Sequence, residues 1–166
     1  MNEIEVVGVR LELPTNAPVL VLRELNGRRR IMTIHIGGTE ASAIHTALEG
    51  VEPPRPLTHD LLVDVIESVD VTLESVTITE LRDQTYYAEM LLQTAAGQRS
   101  VSCRPSDAIA VALRAGQPIY VSDAVIDEVG SELPEAEAGE DDDTVVDEFR
   151  DFLDTISPED FSDPSS

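Results

Sequence analysis

Lysine is absent from this 166-residue chain, and so is tryptophan. Without lysine, every basic side chain is an Arg, a planar fork suited to two-pronged contact with phosphate or carboxylate. Cys103 is the single cysteine, which excludes an intrachain disulfide. Aromatic residues make up 4%, so a core must be built from Val, Ile, Leu and Ala. No apolar run approaches the roughly 20 residues of a membrane span. The first residues, Met1-Asn2-Glu3-Ile4-Glu5, lack the charged and apolar regions of a secretory signal. A cytoplasmic location with no membrane association is the expectation. No P-loop, dinucleotide fingerprint or zinc-ligand spacing is present.

The length fits one domain of ordinary size plus an appendage, and a hydrophobic fraction of 42% is enough for a core. The net charge of −22 is unevenly spread. Residues 131–166 hold 14 acids and one base, Arg150, a balance of −13, whereas residues 1–130 hold 19 acids and 10 bases, a balance of −9. That asymmetry marks a strongly acidic tail on a milder domain, with the boundary placed after Gly130.

Ile4, Val7, Val9, Leu11 and Leu13 alternate as a strand. A second β-rich run covers 19–25, and Asn26-Gly27 is a hairpin signal because both residues tolerate positive φ. The chain is expected to return as a strand over 28–36, completing an antiparallel meander. Gly37-Gly38-Thr39 breaks that strand. Ala41, Ile44, Ala47 and Leu48 then recur at helical spacing, closed by Gly50. Thr58 is a candidate cap for a helix whose buried stripe would be Leu61, Leu62, Val65, Ile66 and Val69. A strand follows with a change of phase that implies a β-bulge near Ser75. Turns at 81–84 and 94–97 separate two further strands. Pro105 suits the first position of a helix closed by Gly116. Ile119-Tyr120-Val121 is a short strand, and 123–129 a short helix. Hairpins with helices grouped between them predict an α+β fold with a largely antiparallel sheet.

Residues 132–143 are nearly all acid, Ala, Gly and Pro, a composition that predicts disorder. Val145, Phe149, Phe152 and Ile156 then recur at spacings of four and three, a short amphipathic helix at about 144–156.

Two segments share a pattern: Arg55-Pro56-Leu57-Thr58-His59-Asp60-Leu61 and Arg104-Pro105-Ser106-Asp107-Ala108-Ile109. Each places an Arg, a Pro, a hydroxyl residue and an Asp at a helix start. Free N–H groups and the positive end of the dipole make such a start attractive to anions. An Arg adds a phosphate fork, and an Asp can hold a metal or accept a proton. The plain alternative is that Thr58, Asp60 and Asp107 are ordinary helix-start residues.

The ordered segments Ile36-Gly37-Gly38-Thr39-Glu40-Ala41-Ser42-Ala43-Ile44, Arg55 to Leu61, Arg104 to Ala110, and Pro118-Ile119-Tyr120-Val121 together resemble the bifunctional nuclease domain, over about residues 3–130. That family of bacterial and plant proteins is credited with DNase and RNase activity. The resemblance implies hydrolysis of phosphodiester bonds in DNA and RNA, bound without regard to sequence. Combined with the residue pattern, it places Glu40, Asp60 and Asp107 as carboxylate ligands of a divalent metal, Mg²⁺ or Mn²⁺. His59 becomes the general acid or base, and Arg55, Arg104 and Ser106 bind substrate. Arg28-Arg29-Arg30, beside the first hairpin turn, would grip backbone phosphates, against the −9 charge of the domain. The alternative is a non-catalytic module of the same fold that binds an anion, a nucleotide or a protein. Sheet edges and the tail helix also invite a homodimer.

Overall fold

The computed structural model describes residues 1–132. The expected tail helix at about 144–156 and the acidic run before it lie outside the described residues.

Among the described residues, seven strands and four helices follow one another in the order βββααβββαβα. The strands are β1 (Asn2–Glu12), β2 (Ala17–Glu24), β3 (Ile31–His35), β4 (Thr72–Arg82), β5 (Thr85–Thr94), β6 (Gly97–Cys103) and β7 (Ile119–Val121). The helices are α1 (Gly38–Leu48), α2 (Thr58–Ser68), α3 (Pro105–Ala115) and α4 (Asp123–Val129). The α+β class and the mostly antiparallel sheet agree with the reading of the sequence. The sheet order is β3-β2-β1-β7-β4-β5-β6. Two local meanders, β1–β3 and β4–β6, are thus joined by the three-residue β7, antiparallel to β1 and parallel to β4. In the register, Ile119 lies beside both Ile4 and Val76.

Local chemistry explains the turns. Asp83 and Gln84, at φ of 49° and 60°, form the two-residue link between paired Arg82 and Thr85. Positive φ at both positions matches the right-handed strand twist. The expected bulge is present, since the β4–β5 register shifts between Leu73 and Ser75. Helix α3 begins with Pro105, whose missing N–H costs nothing there, and closes on Gly116 at φ 64°.

Two expectations need correction. The third strand begins at Ile31, not Arg28, and the loop before it places Arg29 at φ 53° and Arg30 inside the fold. Glu24 is 1% exposed and accepts from Arg30 Nε at 2.9 Å, from Nη2 at 2.8 Å and from the Arg30 backbone N–H at 3.0 Å. Arg30 Nη1 also donates to Asp127 of α4 at 2.6 Å. A burial this deep is tolerated because both charges are paired and hydrogen-bonded. Arg30 therefore ties the hairpin to α4 and is not presented to solvent.

The second correction concerns α2. Leu61, Leu62, Val65 and Val69, expected as a buried stripe, are exposed, and only Ile66 of that set is half-buried. His59 is the buried residue of this helix. The helix turns the His59, Val63 and Ile66 side inward, against α3 and β4.

Helix α3 is the centre of the helical layer, packed against α1, α2, β4 and β5. Its run Ala108, Ile109, Ala110, Val111, Ala112 is fully buried. The alanines let the flanking elements approach closely, while Ile109 and Val111 fill the core. With Leu20, Leu22, Ile44, Val76 and Ile78 they form one cluster, each large side chain contributing roughly 1.5–3 kcal/mol of burial. Among the described residues no helix is long and apolar enough to cross a membrane.

Candidate active site

Helices α1, α2 and α3 bring their N-terminal turns into contact. Glu40 lies in the first turn of α1, His59 in that of α2, and Asp107 in that of α3, with Arg104 as the α3 N-cap residue. The positive ends of three dipoles face one small region, which favours negative charge there.

Arg104 links the acids. Its Nε donates to Asp107 Oδ2 at 2.6 Å and its Nη2 to Asp107 Oδ1 at 2.9 Å, a two-pronged fork. The same Nη2 donates to Glu40 Oε1 at 2.8 Å. His59 Nε2 completes the chain, 3.3 Å from Asp107 Oδ1, and donates to it in the tautomer with the proton on Nε2. The Arg104 side chain is 66% exposed, whereas those of Glu40 and His59 are 16% and 11% exposed. A solvent-facing guanidinium thus binds the shielded Glu40 directly and is linked to the shielded His59 through Asp107. Burial works to raise the pKa of the Asp107 carboxyl, but hydrogen bonds from Arg104 and His59 outweigh it and hold it below the ordinary range. The Arg104 guanidinium is pushed further up by Asp107 and then Glu40.

Asp60 is not part of this chain. It accepts from the Leu57 backbone N–H at 2.8 Å, so it satisfies an orphan donor at the start of its own helix. Leu57, and not Thr58, is the N-cap residue. The other Asp60 oxygen accepts from Nε of Arg114, whose side chain is 9% exposed. Arg114 also donates to the Ala110 carbonyl at 2.8 Å and the Ala43 carbonyl at 3.1 Å, and so joins α1, α2 and α3. Burial raises the Asp60 pKa, and the Leu57 N–H and Arg114 more than offset it, leaving the group below the usual carboxylate range. A depression of about 620 Å³ opens on this side, lined in part by Val51, Pro56, Asp60 and Arg114. Arg114 was not legible as a site residue. Its signal was an Arg seven positions after Asp107, on the same helix side within an apolar run.

The remaining expected residues are scattered. Ser106 is 6% exposed, within the buried start of α3. Arg55 is exposed in the loop before α2. Of the basic triplet, Arg28 and Arg29 are exposed, Arg28 facing Glu132 at 3.8 Å, and Arg30 is buried. Among the described residues no group of three His, Cys, Asp or Glu side chains is placed to hold a metal ion. Glu40, Asp60 and Asp107 therefore do not form a three-carboxylate cage. Cys103, beside this region, has its thiol pushed up to about 11, by burial first and then by the Asp107 charge.

The model of the bifunctional nuclease domain matches residues 20–134, which include every side chain of this cluster. The chain belongs to the bifunctional nuclease domain family. An uncharacterised protein of Mycobacterium tuberculosis strain H37Rv is 47% identical over 166 residues, covering 97% of this chain and 98% of that protein. Bifunctional nuclease 1 of Oryza sativa subsp. japonica is 27% identical over 124 residues, 73% of this chain and 37% of the plant protein. Bifunctional nuclease 2 of Arabidopsis thaliana is 27% identical over 115 residues, 66% and 35% of the two chains. This chain spans little more than a third of either plant protein.

Proposed function

We propose that this domain hydrolyses phosphodiester bonds of DNA and RNA at the Glu40–Arg104–Asp107–His59 cluster, in the cytoplasm. The observation that carries the reading is the meeting of three helix N-termini around an exposed Arg and a His–Asp pair. A phosphodiester would take the Arg104 fork in place of one or both carboxylates, as its two unesterified oxygens match that geometry. The dipole ends and Arg104 would then stabilise the charge that builds on phosphorus oxygens during attack. Asp107 holds the imidazole by Nε2, which leaves Nδ1 to take a proton from the attacking water and return it to the leaving oxygen. Both nucleic acids present the same phosphodiester to such a site, and nothing in the cluster reads a base, so binding is independent of sequence.

A Mg²⁺ or Mn²⁺ ion would draw on Glu40 and Asp107, with substrate phosphate and water as its remaining ligands, the manner in which Mg²⁺ is commonly held. When bound, such an ion would polarise the phosphate. Arg28 and Arg29 would add backbone contacts away from the reacting bond, at a cost in affinity that rises with salt.

One observation favours a non-catalytic anion- or protein-binding module of the same fold: the charge of Arg104 is already answered by two carboxylates. Cleavage of labelled DNA and RNA separates the readings. His59→Ala and Asp107→Asn should each lower cleavage about a hundredfold or more, and EDTA should abolish it if a metal takes part. Undiminished cleavage by both variants would remove the assignment of this cluster. Binding without cleavage by the wild type would favour the second reading.

A further inference from the structure

Gly37, the N-cap residue of α1, has no conformational need to be glycine. Its φ of −73° and ψ of 155° are extended backbone open to any residue. It is exposed, and its carbonyl accepts from the Ala41 N–H at 2.9 Å, a bond that any residue supplies. What its bare Cα provides is room. A Cβ added there would overlap Oε2 of Glu40 and lie 3.3 Å from Glu40 Cδ. Glu40 thus folds its side chain back over the start of its own helix. Its Oε2 rests against Gly37, and its Oε1 accepts from Arg104 Nη2 at 2.8 Å. The next glycine differs: a Cβ at Gly38 would meet nothing within 4 Å.

We infer that Gly37 is a positioning residue of the cluster: its missing side chain seats the Glu40 carboxylate where it holds Arg104. The inference rests on the nuclease reading only for its effect on turnover. With a methyl group at position 37, the two groups cannot share the space. The flexible end of Glu40 gives way, and the helix backbone stays where it is. Oε1 then leaves Arg104 Nη2. The Glu40 side chain is 16% exposed, and a shielded carboxylate that loses its cation turns toward water. Arg104 keeps its two bonds to Asp107, at Nε and Nη2. Both go to one carboxylate, so the guanidinium is free to swing with the Asp107 side chain. Held by Glu40 as well, it is fixed from two helices, α1 and α3. Its side chain is 66% exposed, and ordering such a long side chain against solvent costs entropy that the second carboxylate offsets. Gly37 therefore acts at one remove: it touches Glu40, and Glu40 sets the direction of Arg104.

The test is a double-mutant cycle of Gly37→Ala and Glu40→Ala in the full chain, with Gly38→Ala as the control and circular dichroism as the check of folding. The first readout, Tm, needs no cleavage. With Glu40 present, Gly37→Ala is expected to lower Tm by about 2–4 °C. In the Glu40→Ala background it is expected to shift Tm by less than about 1 °C. There no carboxylate competes for the space, and the weaker cap is offset by a less flexible unfolded chain. Gly38→Ala is expected not to lower Tm, since alanine suits a helix better than glycine. The second readout is cleavage of DNA and RNA. Gly37→Ala is expected to lower kcat about tenfold, the scale of a small misplacement, with KM within about twofold because Arg104 itself remains. The double variant is expected to be no slower than Glu40→Ala alone. An equal fall of Tm in both backgrounds would overturn the inference, because Gly37 would then act on the helix start and not through Glu40. So would an unchanged Tm with Glu40 present, an unchanged kcat, or a kcat loss that adds in full to that of Glu40→Ala. A wild type that cleaves nothing would remove the nuclease reading, and the Tm cycle alone would then decide whether Gly37 seats Glu40.

Discussion

His59 and Asp60 are neighbours in the chain, yet their side chains meet different helices: His59 Nε2 lies 3.3 Å from Asp107 at the start of α3, while Asp60 is bound by Arg114 at its end. One residue of a helix rotates the side chain by about 100°. That rotation separates a candidate reactive pair from a structural ion pair, and the two should respond differently to substitution.

Arg114→Met should destabilise the domain by about 2–3 kcal/mol, less than a fully buried pair because Asp60 keeps partial contact with water. The change strands a carboxylate and two carbonyls that Arg114 now satisfies. Urea unfolding measures the loss. Cleavage per folded molecule should change little, because Arg114 does not touch the His59–Asp107 pair.

The basic triplet should divide. Arg30→Ala should cost roughly 3 kcal/mol, since it leaves Glu24 buried and unpaired. Arg28→Ala and Arg29→Ala should each stay within about 0.5 kcal/mol in stability. Nucleic-acid affinity should weaken with Arg28 and Arg29, and each loss should lower the salt slope by about one. Fluorescence anisotropy at several salt concentrations is the measurement.

Acid should unfold the domain through its depressed carboxyls. Asp60, Asp107 and Glu24 all sit below their ordinary values in the folded state. A group lowered in this way contributes stability above its unfolded pKa, near 3.8 for Asp, and loses it as pH falls through the folded value. Stability should therefore be flat near neutrality in this respect and fall below about pH 4. Asp60→Asn should be less stable at pH 7 and show a shallower acid fall, read from thermal melts across that range.

Cys103 should be slow to alkylate. Its thiol titrates near 11, so little thiolate exists at pH 8. Iodoacetamide should label the folded protein far more slowly than the protein in urea, and mass spectrometry follows the difference. Equal rates would show that the thiol is not shielded as described.

Much of the fold was legible because its cues are local. The Asp83-Gln84 turn, the bulge before Ser75, Pro105 at the α3 start and Gly116 at its end all act within a few residues. The exposed side of α2 was not legible for a physical reason: periodicity shows that Leu61, Val65 and Val69 share a face, but not whether the fold covers it. The buried position of His59 was hidden in the same way, since a polar residue is accepted inside only when a partner such as Asp107 arrives from elsewhere. The candidate site was half legible. Arg104, Asp107, His59 and Glu40 do meet, whereas Asp60 and Arg30 are turned to structural partners.

By itself the sequence determined the order and type of the elements and which helix starts carry charge, because backbone dihedrals, caps and side-chain period depend on near neighbours. Only the tertiary structure decided that β7 enters between β1 and β4, that three helix N-termini share one corner, and which cations Glu40 and Asp60 receive. Those outcomes depend on groups more than forty residues apart meeting across a packed core, and the free energy of such a meeting is set by burial and charge pairing that no local pattern contains.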